Sequence, residues 1–294
     1  MADSKHLLVL GFPEYTEQAN RLAGALDSAC RIVEIHRFPD GESRLRLPQE
    51  LPAHVILCRS LNQPNDKLVE LMLAARTARN LGARRLTLVA PYLCYMRQDT
   101  AFVPGEAVSQ AIIGEWLGGL FDCVVTVDPH LHRVHDLGEV VAGAEARALS
   151  AAPAMSEYLR HLPDSPLLIG PDGESRQWVQ QIAELSGTEF TVSSKRRSGD
   201  REVEVALGDC DCQGRTVVLV DDIISTGETM AAAARLARAD GAAEIHCLVT
   251  HALFCQGALD LLKSAGAGGI VSTDSISHSS NKIHLAPLLA EAIS

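Results

Sequence analysis

Short apolar runs alternate along the chain with longer stretches in which apolar residues recur at helical spacing. That alternation predicts an α/β fold with mainly parallel sheets flanked by helices. Strands are expected at Leu7 to Leu10, Val55 to Cys58, Leu86 to Ala90, Val124 to Val127, Leu167 to Ile169, Glu189 to Val192, Val217 to Val220 and Ile245 to Thr250. Most of these runs are unbroken, the pattern of a strand covered on both faces. Helices are expected at Glu14 to Ser28, Asp66 to Leu81, Ala107 to Leu120, Ala151 to His161, Ser175 to Ser186, Ala231 to Ala239, Ala258 to Ser264 and from Pro287 onward. Gly82 punctuates the end of the second of them.

The pattern also repeats. Gly82 to Pro91 resembles Gly241 to Thr250, and both stretches follow an Ala/Arg-rich helix and open a strand. Two similarly folded halves are expected, of which only the second keeps the acidic loop and Ser60 to Asp66 lies roughly at its place in the first; chance similarity between two αβ units is the alternative. The Ala/Gly-rich region from Val141 to Ala154 is the natural junction.

Composition narrows the function classes. A chain of 294 residues has room for two domains, and 47% hydrophobic with 21% charged residues is the balance of a globular protein. A net charge of −11 argues against a general nucleic-acid binder, which needs a basic face. The apolar run at Leu7 to Leu10 is too short for a signal-peptide core or a membrane span, so a cytoplasmic protein with no membrane partner is expected. Several of the eight cysteines sit in strand-like runs and are expected as buried thiols. Cys210 and Cys212 stand in a polar turn, and the lack of a second pair nearby weighs against zinc or redox use.

The candidate chemistry centres on Val217 to Met230. The apolar run ends in Asp221 and Asp222, and Ser225, Thr226, Gly227, Glu228 and Thr229 then lead into a helix. Ligands of open parallel sheets bind at the carboxyl ends of the strands, and the N–H groups of a helix start favour an anion. Hydroxyls and N–H groups suit a phosphate, while two acids suit sugar hydroxyls, directly or through a metal ion. A ribose 5-phosphate satisfies both. Asp172, in Pro171-Asp172-Gly173-Glu174, also ends a strand, with a helix N-cap as the plain alternative. In Asp128-Pro129-His130 an imidazole near a carboxylate suits Mg²⁺ better than a closed zinc site. Arg97-Gln98-Asp99 offers a guanidinium for a purine or a phosphate, or else a surface ion pair. Phe38-Pro39-Asp40-Gly41-Glu42 reads alone as a solvated turn. Lys195-Arg196-Arg197 belongs to the one dense basic cluster, expected on a loop able to close over a transferring group.

Taken in order, these motifs resemble the ribose-phosphate diphosphokinases, also called phosphoribosyl-diphosphate (PRPP) synthetases, nearly from end to end. The resemblance implies two tandem phosphoribosyltransferase-type domains, over 1–146 and 147–285, with a final helix at 286–294 returning to the first. It implies transfer of the diphosphoryl group of MgATP to the C1 hydroxyl of ribose 5-phosphate, giving PRPP and AMP. ATP would be held by Phe38, Asp40, Gly41 and Glu42 of a neighbouring subunit and by Arg97, Gln98 and Asp99, which implies a homo-oligomer, at least a dimer. His130 and Asp172 would bind Mg²⁺. Asp221, Asp222, the 225–229 loop and Arg197 would bind ribose 5-phosphate, with Lys195 and Arg197 catalytic. Ser225 and Glu228 depart from the commoner Asp-Thr-Gly-Gly-Thr and Asp-Thr-Ala-Gly-Thr loops, and Pro129 replaces a usual Leu. The segment from Thr100 to Ser109 is more similar to the archaeal-type members than to the well-regulated enzymes. The alternatives are a PRPP-using phosphoribosyltransferase, which needs neither the 38–42 turn nor a second full domain, and a non-catalytic subunit, expected to lack parts of the basic loop or the metal ligands.

Overall fold

A computed structural model describes residues 7–131, 133–134, 136–162, 165–197, 203–208 and 210–293, with only the backbone described over 194–197 and 203–205. The chain divides into two compact units, Met1–Leu149 with Ala286–Ser294, and Ser150–Leu285. The division falls at Leu149, past the expected 146, because the strand Glu145–Leu149 pairs with Cys123–Val127 and completes the first sheet.

The first unit is built on six parallel strands: β1 (Leu7–Gly11), β2 (Ala29–Ile32), β5 (His54–Cys58), β6 (Arg85–Val89), β7 (Cys123–Val127) and β8 (Glu145–Leu149). They stand side by side as β2-β1-β5-β6-β7-β8. Between β2 and β5 the chain makes an antiparallel hairpin, β3 (Glu34–Arg37) and β4 (Ser43–Arg46). Helix α1 (Thr16–Ala25) follows β1, α2 (Pro64–Asn80) follows β5 and α3 (Ser109–Gly118) precedes β7. The short helix α4 (Leu137–Val140) precedes β8, and Asp136 caps it by accepting from the Gly138 N–H at 2.8 Å. The core strands β1, β5, β6 and β7 are buried over almost their whole length, as their unbroken apolar runs require.

The second unit repeats the plan. Strands β9 (Leu167–Gly170), β10 (Glu189–Val192), β13 (Thr216–Ile224), β14 (Glu244–Ala252), β15 (Gly269–Thr273) and β16 (Asn281–Ile283) stand as β10-β9-β13-β14-β15-β16. Here too a hairpin, β11 (Ser194–Arg197) with β12 (Val203–Ala206), follows the second strand. Helices α5 (Ala152–Arg160), α6 (Arg176–Ser186), α7 (Glu228–Ala239) and α8 (Ala258–Ser264) flank the sheet. Position for position the strand order equals that of the first unit, so the faint sequence repeat reflects two copies of one topology. The last helix, α9 (Ala286–Ile293), packs on α1 and β8 of the first unit, where the Arg147 guanidinium donates to the Ala292 carbonyl.

Two boundaries differ from expectation in a way that matters for the site. β13 does not stop at Val220 but continues through Ile224, because β14 pairs with it as far as Ile224 opposite Ala252. The helix after it starts at Glu228, ahead of the expected Ala231. The connection is thereby shortened to Ser225, Thr226 and Gly227.

Candidate active site

In the second unit the end of β13 and the turn after β9 come together. The two strands are neighbours, with Leu219 opposite Ile169. Asp222 is buried and Asp221 half-buried in the last four residues of β13, and side chains alternate faces along a strand. Burial pushes the Asp221 carboxyl well above the usual carboxylate range, and the charges of Asp222 and then Asp172 push it further. Three carboxylates are thus gathered where like charges repel, the arrangement of a site that awaits a cation or a set of hydroxyl donors. Carboxylate oxygens are the donor type that Mg²⁺ prefers. The plain alternative, a helix N-cap, does not hold for Asp172: Ser175 stands at the N-cap of α6, and Asp172 Oδ1 instead accepts from the Glu174 N–H at 3.0 Å within its own turn. The strand-end turn is tight, since a Cβ on Gly170 would lie 2.4 Å from the Ser175 Oγ.

Beyond the acids, Gly227 caps α7 with φ of 81°, a left-handed conformation that favours glycine. The first N–H groups of α7 are those a helix cannot satisfy internally, and they face the same end of the sheet as Asp221. Thr226, Glu228 and Thr229 are exposed. Ser225 holds its Oγ 3.2 Å from Cys255 Sγ, and its carbonyl accepts from the Cys255 N–H at 2.8 Å. Cys255 is a loop neighbour that the sequence pattern gave no reason to single out.

Lys195 and Arg197 lie in β11, paired with Val205 and Val203. Their side chains, and residues 198–202, lie outside the described residues.

In the first unit the 38–42 segment is not an isolated turn but the tip of the β3–β4 hairpin. The Phe38 N–H donates to the Glu42 carbonyl at 2.8 Å, and the Asp40 carboxylate accepts from the Glu42 N–H at 3.2 Å. Gly41 supplies the positive φ of 95°. Phe38 is 40% exposed and meets the His36 ring edge-on at 4.8 Å. Both ends of the turn are tied to one buried carboxylate: Glu70 of α2 accepts from Ser43 Oγ at 2.8 Å and from Arg37 at 3.2 Å.

Arg97, Gln98 and Asp99 follow β6, and His130 follows β7, its neighbour in the sheet. Arg97 is exposed. The Asp99 side chain is turned inward, with 3% exposure; Oδ1 accepts from Arg133 at 2.7 Å and Oδ2 is buried without a partner among the described residues. Arg133 thus joins the two loops, across a sequence separation no local pattern reveals. His130 is half-buried, and Asp128, two residues before it, is buried with φ of 39°. A non-glycine residue held there marks local strain of the kind that clusters at functional sites. His132 and His135 lie outside the described residues. The Asp172 and His130 proposed for Mg²⁺ belong to different units.

The family model described as the N-terminal domain of ribose phosphate pyrophosphokinase matches residues 7–119, and the phosphoribosyl transferase domain model matches residues 142–272. A ribose-phosphate pyrophosphokinase of Methanopyrus kandleri is 37% identical over 98% of this chain and 98% of its own length. That of Methanothermobacter thermautotrophicus is 32% identical over 97% and 99%. The crystal structure of phosphoribosylpyrophosphate synthetase from Mycobacterium smegmatis superposes with a TM-score of 0.82 over 98% of both chains, at 24% identity, a likeness of fold.

Proposed function

The chain belongs to the ribose-phosphate pyrophosphokinase family, and from that premise we propose that it transfers the diphosphoryl group of ATP to the C1 hydroxyl of ribose 5-phosphate. The anomeric oxygen attacks the β-phosphorus in line, the bond from that phosphorus to the α-phosphate oxygen breaks, and AMP departs. The observation that carries the reading is the gathering of Asp172, Asp221 and Asp222 beside the Gly227 helix start. Asp221 and Asp222 take the ribose hydroxyls, and Ser225 to Thr229, with Arg197, take the 5-phosphate.

Transfers of this kind depend on positioning and on neutralising charge. Arg97, Gln98 and Asp99 hold the nucleotide, with Arg133 fixing the Asp99 carboxylate. Phe38, Asp40, Gly41 and Glu42 come from a second subunit, so the working protein is at least a dimer. Lys195 and Arg197 neutralise the diphosphoryl oxygens as they gain charge, and Lys195→Ala retains ribose 5-phosphate affinity while losing roughly 10²–10³-fold in turnover. Asp172 and His130 would hold Mg²⁺, which supplies charge screening of the ATP phosphates. The compartment is the cytoplasm, in keeping with eight free cysteines.

The test is direct. Protein with ATP, Mg²⁺ and ribose 5-phosphate yields AMP and PRPP in equal amounts. A preparation that makes no AMP, or that instead consumes PRPP with a free base, contradicts the reading.

A further inference from the structure

Far from the acidic site, at the opposite end of β13, the connector from β12 turns through Cys210, Asp211 and Cys212. The two sulfurs are 4.0 Å apart. Asp240, the residue that caps the C-terminus of α7, comes to the same point, and one ligand atom from each of the three lies within 4.8 Å of the others. We propose that Cys210, Cys212 and Asp240 form a binding site for a thiophilic divalent cation of the zinc type, with one coordination position left to water.

Four observations carry this. Zinc–sulfur bonds of about 2.3 Å at a tetrahedral angle separate two sulfurs by about 3.8 Å, so the pair needs almost no movement. The turn is held in place by backbone bonds on both sides: Gly214 N–H to the Gly241 carbonyl and Ala243 N–H to the Arg215 carbonyl, each 2.9 Å, with Cys212 N–H to Asp240 Oδ2 at 3.0 Å. Asp240 is a carboxylate at the negative end of a helix, where the helix dipole disfavours it and a bound cation would compensate. Cys212 is fully buried and Cys210 half-buried, so the sulfurs are shielded while Asp240 is exposed on the solvent side.

Burial, and then the neighbouring Asp240, push the Cys212 thiol up to about 12. A coordinated cation takes a cysteine as the thiolate outright. The nearby Glu189 is paired with Arg215 at 2.8 Å and adds little net charge. Sequence spacing hid the site because the third ligand lies 28 residues away. A bound cation would fasten the return strand of the β11–β12 hairpin to the end of α7.

The experiment uses the full chain, reduced and freed of metal with a chelator, and titrates Co²⁺ or Cd²⁺ alone. A thiolate-to-metal charge-transfer band that saturates at one equivalent, with a raised Tm, is expected; Mg²⁺ at the acidic site gives no such band. Cys210→Ser should weaken binding at least tenfold, and Asp240→Asn should weaken it by a smaller factor while leaving the band. Absence of the band, a band unchanged in Cys210→Ser, or a Cys210–Cys212 disulfide in the protein isolated without reductant would each overturn the proposal.

Discussion

The two units share one strand order, yet the same place in each is filled in opposite ways. Leu57 of β5 and Leu219 of β13 are equivalent, since each pairs with the residue before the strand-end glycine of its neighbour, Leu10 and Ile169. Two residues further on stand Arg59 in the first unit and Asp221 in the second. Arg59 is 1% exposed, covers the Phe12 ring at 4.1 Å, and donates to Glu14 at 2.7 Å and to Glu70 at 2.5 Å. The first unit therefore carries its own cation where the second gathers three carboxylates and leaves the charge to a ligand. The cation of the first copy supports the β3–β4 hairpin through Glu70, while the carboxylates of the second belong to the candidate site. A cluster of like charges costs stability, and it is tolerated where binding removes the imbalance.

The largest effect should come from removing the internal cation. Arg59→Met keeps the volume but removes the guanidinium that Glu14 and the buried Glu70 share, and should cost about 3–5 kcal/mol, read by denaturant unfolding. A loss below about 1 kcal/mol would mean that the first unit is not held by this network. Next, Asp221→Asn should lower PRPP synthesis by roughly 10²-fold. The same variant without ligand should melt roughly 2–4 °C higher, the shift that about 1 kcal/mol produces at this size, because it removes a like charge. A lower Tm would show that the acids are not in conflict. Smaller still, Glu70→Gln loosens both ends of the 38–42 turn and should raise the KM for ATP roughly threefold to tenfold with kcat nearly unchanged, about the worth of one hydrogen bond. A change confined to kcat would separate Glu70 from nucleotide binding.

The comparison also has a sign in pH. Burial alone would raise the Glu70 carboxyl, but hydrogen bonds from Arg59 and Ser43 with the charges of Arg59 and Arg37 together hold it below the usual range. Its contribution is thus present above the ordinary carboxylate range and lost on acidification. Asp221 is shifted the other way, so the folded state binds its proton more tightly and the ligand-free protein loses stability as pH rises through the range above the ordinary carboxylate value. In Asp221→Asn the second slope should vanish and the first should remain, as melting curves across pH will show.

Much of this was legible in the sequence. The unbroken runs gave the parallel core strands, and the acids followed by a Gly-containing turn marked the candidate site, because strand, corner and helix start are adjacent in the chain. The hairpins were not legible. Glu34-Ile35-His36-Arg37 and Ser43-Arg44-Leu45-Arg46 are polar and largely exposed, so neither carries the apolar signal that announces a strand. Arg59 was equally silent, since its meaning depends on Glu14 and Glu70, 45 and 11 residues away. Gly227 and the exposed Glu228 show the reverse case: an atypical loop residue that the local geometry turns outward.

The central claim is that the second unit binds the phosphorylated pentose and the first does not. Calorimetric titration of ribose 5-phosphate in Mg²⁺ tests it most directly. One site per chain, lost in Asp221→Asn, is the predicted result; two sites per chain, or full binding in Asp221→Asn, would contradict it.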